Sequence, residues 1–174
     1  VYSNAQNNIS DSRIFSQIQV LNEDFRRTNS DAINTPSQFQ SVVADMSINF
    51  CLASKDPDGN PTNGIIRKLT NKSGFSLYDT TIHYNVTGGS DAWDSDKYLN
   101  IWVCNIYGGI LGWAQFPYAG TKETDGVVIN HDNFGVNLNY SSAYNLGRTT
   151  THEVGHWLNL FHVWGDNTCG DDFV

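Results

Sequence analysis

Apolar and polar positions recur along this chain with two different periods, and the change of period marks out its elements. Over residues 10–27, Ile14, Ile18, Leu21 and Phe25 fall at the i, i+4, i+7, i+11 spacing of one helical face. Ser10 followed by Asp11 supplies an N-cap and an acidic first turn, so an amphipathic helix is predicted there. Thr35, Pro36, Ser37 and Gln38 carry a second start signal. Thr can cap, Pro suits the first helical position, and Gln three residues after the cap completes a capping box. Phe39, Val42, Val43 and Met46 would form the buried stripe of this second helix.

The period then shortens to two. Ile48 to Leu52 alternates and is β-prone, and the turn-rich stretch DPDGNPTNG follows at 56–64. Part of that stretch, DPDGN, is similar to a calcium loop, but the later Glu of such a loop is missing and a plain turn is predicted. Tyr98 to Cys104 is the strongest strand, with aromatic and β-branched residues on both faces, which predicts a central position. Gly108 and Gly109 turn the chain into Ile110 to Phe116, a run that stops at Pro117 and reads as a sheet edge. Val127 to Asn130 predicts another short strand, and Arg148 to Leu160 a helix. The sum is a single α/β domain over residues 1–174: a twisted mixed sheet, two helices in the N-terminal half and one near the end.

Composition narrows the partners. The 174 residues are 39% hydrophobic and only 16% charged, so polarity comes from Asn, Ser, Thr and Gly. Eighteen Asp and Glu against ten Lys and Arg leave a net charge of −8 and no basic stripe, which argues against nucleic acid and anionic membrane as partners. No apolar run is long enough for a membrane span, and the first residues lack the basic and apolar regions of a signal peptide. Scarce lysine with abundant Asn and Ser leans towards an exported protein. The odd count of Cys51, Cys104 and Cys169 leaves at least one thiol free or paired outside the chain. Cys51 and Cys104 both fall in predicted strands, and a disulfide between them is one outcome to look for.

The chemistry is concentrated in residues 152–162, which read His-Glu-Val-Gly-His-Trp-Leu-Asn-Leu-Phe-His. On a helix, His152 and His156 stand one turn apart on one face and can reach the same ion. Glu153 points to the neighbouring side, where an activated water would sit; this is the HExxH arrangement with Glu as general base. His162 lies six residues past His156, so it joins them only if the chain turns sharply. Asn159 suits that turn, because after Gly it is the residue that best adopts the left-handed conformation. The pattern thus departs from HExxHxxGxxH by one residue. A zinc site with a carboxylate as third ligand is the alternative, at Asp166, Asp171 or Asp172, since Glu153 is the last Glu; His162 is the better placed. A non-catalytic, zinc-stabilised binding module is another reading, but it predicts loss of the general base, and Glu153 is present. His83 and His131, isolated in strand-like segments, are read as structural.

The stretch GRTTTHEVGHWLNLFHVWGD (147–166) resembles the pappalysin-type metzincins, in particular their cytophagalysin and ulilysin branch. The segments at 9–31, 48–65 and 98–117 agree in the same order. The resemblance implies a metzincin-like catalytic fold and a secreted zinc endopeptidase, monomeric, made with a pro-segment and acting on peptide or protein substrates. A preference for a basic residue after the scissile bond goes with it. It also implies zinc on His152, His156 and His162, Glu153 as catalytic base, and an edge strand containing Ile110, Leu111, Gly112, Trp113 and Ala114 along which substrate lies. Relatives bind calcium near the position of Asp171 and Asp172, and hard oxygen ligands in that Gly-rich loop suit Ca2+; a solvated acidic turn is the other reading. Metzincins carry a Met-containing turn after the third His, whereas the one Met here is Met46; only Val1, Tyr2 and Ser3 could represent the family's first strand. The sequence is therefore expected to be an internal part of a catalytic domain, with Cys169 pairing beyond residue 174.

Overall fold

A computed structural model of the chain describes residues 1–162. Asp166, Cys169 and the two expected calcium ligands, Asp171 and Asp172, lie outside the described residues. The first helix, α1, spans Asp11–Phe25 and starts as expected: the Ser10 hydroxyl accepts from the Arg13 N–H. Its buried face is Gln17, Val20, Leu21 and Phe25.

The second expected helix does not form. Residues 30–39 hold only two short 3-10 turns, Ser30–Asn34 and Ser37–Phe39, and Phe39, Val42 and Met46 are exposed. A start signal lowers the cost of nucleation, but a helix this short persists in water only when an apolar face is covered, and nothing among the described residues covers this one. Residues 48–52 likewise join no sheet among the described residues. The Asn22 side chain on α1 stands in for a neighbouring strand, accepting from the Phe50 N–H at 2.7 Å and donating to its carbonyl at 2.9 Å. The Phe50 ring then packs edge-on against Phe25, with centroids 5.1 Å apart.

Three strands build the sheet: β1 (Ile101–Cys104), β2 (Gly112–Ala114) and β3 (Val127–Asn130), in the order β1-β3-β2. β3 runs parallel to β1, with Ile101 opposite Val127, and antiparallel to β2, with Gly112 opposite Ile129. β1 was expected at the centre and instead lies at a margin, with β3 central. The reason is that both faces of β1 are covered, whereas on its outer edge no strand among the described residues pairs with it and the Val1 amino group alone bonds there, to the Val103 carbonyl at 2.8 Å. Ile101 and Val103 face a cluster of Leu21, Phe25, Val127, Ile129, Phe134 and Val154, while Trp102 and Cys104 face Phe75, Ile82, Ile106 and Val128. Hydrophobicity reports coverage of faces and says nothing about pairing of edges.

Cys51 and Cys104 are free thiols, so the disulfide between them is not formed. Cys104 is fully buried in the far-face cluster, where burial pushes its thiol up to about 12, whereas Cys51 is exposed next to Phe50 on the α1 side. The 56–60 segment is a plain turn held by the Asp56 carboxylate, which accepts from the N–H groups of Asp58 and Asn60. His83 is a core residue, edge-on to Trp102 at 4.4 Å. The second helix, α2 (Arg148–Trp157), packs across β2, β3 and α1 and carries the HExxH motif. A cavity of about 550 Å³ lies between α1 and β1, and none of the motif histidines lines it.

Candidate metal centre and substrate edge

α2 is a weak helix on local grounds. It opens with Thr149, Thr150 and Thr151, all β-branched, and the preceding Gly147 sits in the left-handed region (φ 77°) without a side-chain cap. Tertiary contacts hold it instead. Val154 is fully buried against the sheet. The Thr150 hydroxyl bonds Gln17 Oε1 and the Thr151 hydroxyl donates to the Asp24 carboxylate, each at 2.7 Å. Arg148 bridges Asp24 at 3.0 Å and Asp31 at 2.8 Å. Bonds from Arg148 hold Asp31 at about 2, whereas burial raises Asp24.

The C-terminal end of α2 makes the sharp turn that the spacing of His162 demands. Asn159 adopts φ 73°, the Asn159 N–H bonds the His156 carbonyl, and the Leu160 N–H reaches back to the Gly155 carbonyl at 2.9 Å. These two bonds around a left-handed residue are a Schellman motif. The reversal places His162 against its two partners. His152 Nε2 lies 3.1 Å from His162 Nε2, and His156 Nε2 lies 3.0 Å from each of the other two.

That triangle fits a metal ion. A tetrahedral zinc with bonds of about 2.0–2.1 Å spaces its nitrogen ligands by roughly 3.3 Å, within a few tenths of what is seen. The tautomer also fits. His156 Nδ1 is 2.7 Å from the Leu160 carbonyl, which can only accept, so Nδ1 carries the proton and Nε2 turns its lone pair to the centre. Burial and then the two neighbouring imidazoles lower the pKa of His152, favouring the neutral form a metal needs. His152, His156 and His162 are the group of metal-ligating side chains brought together among the described residues.

Glu153 is buried, and burial pushes its carboxyl up to about 7. Its chain lies directly beneath β2: a Cβ placed on Gly112 would come within 3.1 Å of Glu153 Cγ and 2.9 Å of the Val128 carbonyl. Glycine at 112 is therefore what lets the edge strand approach the acidic residue. Among the described residues β2 is paired on one side only, by β3. The Leu111 carbonyl and the Gln115 N–H both bond towards β3, so the two-residue period of an antiparallel ladder turns the backbone groups of Gly112 and Ala114 outward. Trp113 points to the opposite face, into the far cluster, and Ile110 packs there too. Beyond β2, the Phe116 ring lies 5.0 Å from His156 and stacks on Phe161 at 5.2 Å.

Several supporting residues escape a reading of the sequence: Gln17, Asp24, Thr150, Thr151 and Asp125, whose carboxylate accepts from Trp157 Nε1 at 2.6 Å. A signal existed for Gln17 alone, a polar residue inside the apolar stripe between Ile14 and Leu21.

A helix that presents HExxH and a third histidine beneath the antiparallel edge of a mixed sheet is the architecture of a metallopeptidase catalytic domain. The family model described as pregnancy-associated plasma protein-A, the pappalysin-type peptidases, matches residues 82–174. The chain belongs to this metallopeptidase family. An extracellular metalloprotease of Pyricularia oryzae is 31% identical over 170 residues, covering 94% of this chain and 47% of that protein. Mature mirolysin of Tannerella forsythia, solved in complex with a cleaved peptide, is 49% identical with a TM-score of 0.92 over 97% of this chain and 66% of that one. Mirolysin in complex with compound 9 is 51% identical, with a TM-score of 0.92 over 96% of this chain and 62% of the other. The chain thus spans about half the length of the curated relative from Pyricularia.

Proposed function

We propose that this chain is the zinc-binding part of the catalytic domain of a secreted endopeptidase that hydrolyses peptide bonds in extended peptide or protein substrates. The observation that carries the reading is the convergence of three imidazole nitrogens within 3.0–3.1 Å, with Glu153 buried beside them under an open strand edge. His152, His156 and His162 hold the zinc, which when bound polarises a peptide carbonyl and acidifies a water. Glu153 takes the proton of the attacking water and passes it to the leaving nitrogen. A carboxyl poised near neutrality by burial can do both. The outward backbone groups of Gly112 and Ala114 bind the substrate as an added antiparallel strand, within the edge formed by Ile110, Leu111, Gly112, Trp113 and Ala114. The net charge of −8 favours cationic substrates, in keeping with a basic residue after the scissile bond. Naming of the relatives as extracellular supports secretion. A calcium ion on Asp171 and Asp172 completes the proposal.

The test is mass-spectrometric mapping of peptides released from a denatured protein by the full-length protein, with and without a zinc chelator and beside Glu153→Ala. Chelator-sensitive cuts that vanish in the variant, mostly before Lys or Arg, are expected. A folded, zinc-loaded protein that cuts nothing would leave a metal-stabilised binding module instead.

A further inference from the structure

α1 covers the sheet, but one of its residues does something that apolar packing cannot. Gln17 has no solvent exposure, and its side-chain bonds all lead to the segment that feeds the active-site helix. Its Oε1 accepts from the Gly135 N–H and from the Thr150 hydroxyl, each at 2.7 Å, and its Nε2 donates to the Gly147 carbonyl at 3.0 Å. The partners fix which way the amide faces, because a backbone N–H only donates and a carbonyl only accepts. Gly147 immediately precedes α2 and offers it no side-chain cap, and Thr150 stands two residues before His152 and three before Glu153.

We propose that Gln17 is a positioning residue of the metal centre: through Gly147 and Thr150 it sets the rotation and height of α2, and so the aim of His152 and Glu153. The inference rests on the three histidines being a zinc site. The apolar contacts of Val154 hold α2 on the sheet but are non-directional, and the other directional ties on the helix, Thr151 and Arg148 to Asp24 and Trp157 to Asp125, are partly exposed, whereas those of Gln17 are fully buried. Hydrogen bonds weaken steeply when bent, so three of them on one buried amide fix a single arrangement. The tolerance is small, since Glu153 already lies in contact range of β2 at Gly112.

The test uses the full-length protein and two readouts: the rate at which zinc is lost to a chromophoric chelator, and kcat and KM per zinc-loaded site. Gln17→Met keeps the length of the side chain and removes every bond. Thr150→Val removes one bond at constant shape, and Thr150→Ser keeps the hydroxyl. Ile82→Ala, in the core on the opposite face, controls for lost stability. Gln17→Met and Thr150→Val are expected to release zinc about tenfold faster and to lose about tenfold in kcat, with KM changed by less than about twofold. Thr150→Ser should restore both, while Ile82→Ala lowers the melting temperature and moves neither. The proposal is overturned if both variants match the parent per folded, zinc-loaded molecule, or if Ile82→Ala shifts both readouts as much. Should Gln17→Met fail to fold, the Thr150 pair decides alone. A parent that binds zinc but cleaves nothing defeats the peptidase reading, and the zinc-release rates still judge Gln17. A parent that binds no zinc defeats both.

Discussion

The two faces of the sheet are both buried, yet they are built on different terms. On the far face, Phe75, Ile82, Trp102, Cys104, Ile106 and Val128 make an apolar cluster; its buried neighbour His83 is kept neutral at about 4 by burial, and the Val1 amino group and Lys72 reach only its margin. On the helix face, Leu21, Phe25, Val127, Ile129 and Val154 share the space with Gln17, Thr150 and Glu153, all buried, and with the Asp24–Arg148 pair at its margin. Apolar contact stabilises without dictating orientation, which is enough for the far face. The helix face must hold one carboxyl and three imidazoles in a fixed relation, and there the core carries directional bonds despite their desolvation cost.

That contrast can be broken by substitution. Glu153→Gln should retain zinc and the melting temperature but lose about 10³-fold in kcat, read by peptide cleavage and metal analysis. Next in size is an effect of the far face on stability alone. The folded pKa of His83 is depressed from 6.5 to about 4, so the unfolded chain binds the extra proton in that window. The His83 contribution to stability is then full above pH 6.5 and is lost as pH drops, by about 3 kcal/mol at pH 4. It is read in zinc-free protein as the difference in denaturant unfolding between the parent and His83→Phe, because Glu153, raised to about 7 by burial, adds a slope of opposite sign to both. Gly112→Ala, which pushes a methyl group onto Glu153 Cγ and to 2.9 Å from the Val128 backbone carbonyl, should lower kcat about tenfold and also lower the unfolding midpoint, because the strand itself must shift. The smallest effect expected is that of Cys104→Ala on the far face, about 1 kcal/mol of stability by denaturant titration with unaltered turnover. Equal losses of activity from both faces would erase the distinction.

Residues 10–27 and 35–46 show how far the chain could be read. Both carry a start signal and an apolar spacing, and only the first became an α-helix. Leu21 and Phe25 found the sheet to cover; Phe39 and Val42 found solvent. β1 repeats the lesson, since its two apolar faces were legible and its marginal position was not. At the site, the ligand spacing was legible because a helix repeats every turn, and the reversal at Asn159 because few residues tolerate positive φ. The third histidine followed from those two facts. Gly112 in the edge strand, set against Glu153, and the Gln17 amide at the foot of α2 join residues far apart in sequence, and no local pattern marks such a pairing.

By itself the sequence determined the chemistry: which side chains can bind a metal, which one can move a proton, and where the backbone must reverse to bring them together. Those are properties of residue type and short spacing, governed by covalent geometry and helix pitch. Tertiary structure alone decided which helix start would persist, which strand would lie at the centre, and what holds α2 at its height beneath β2. Each of these depends on what arrives from elsewhere to cover a face or satisfy a buried donor, and a stretch of sequence does not contain its own partner.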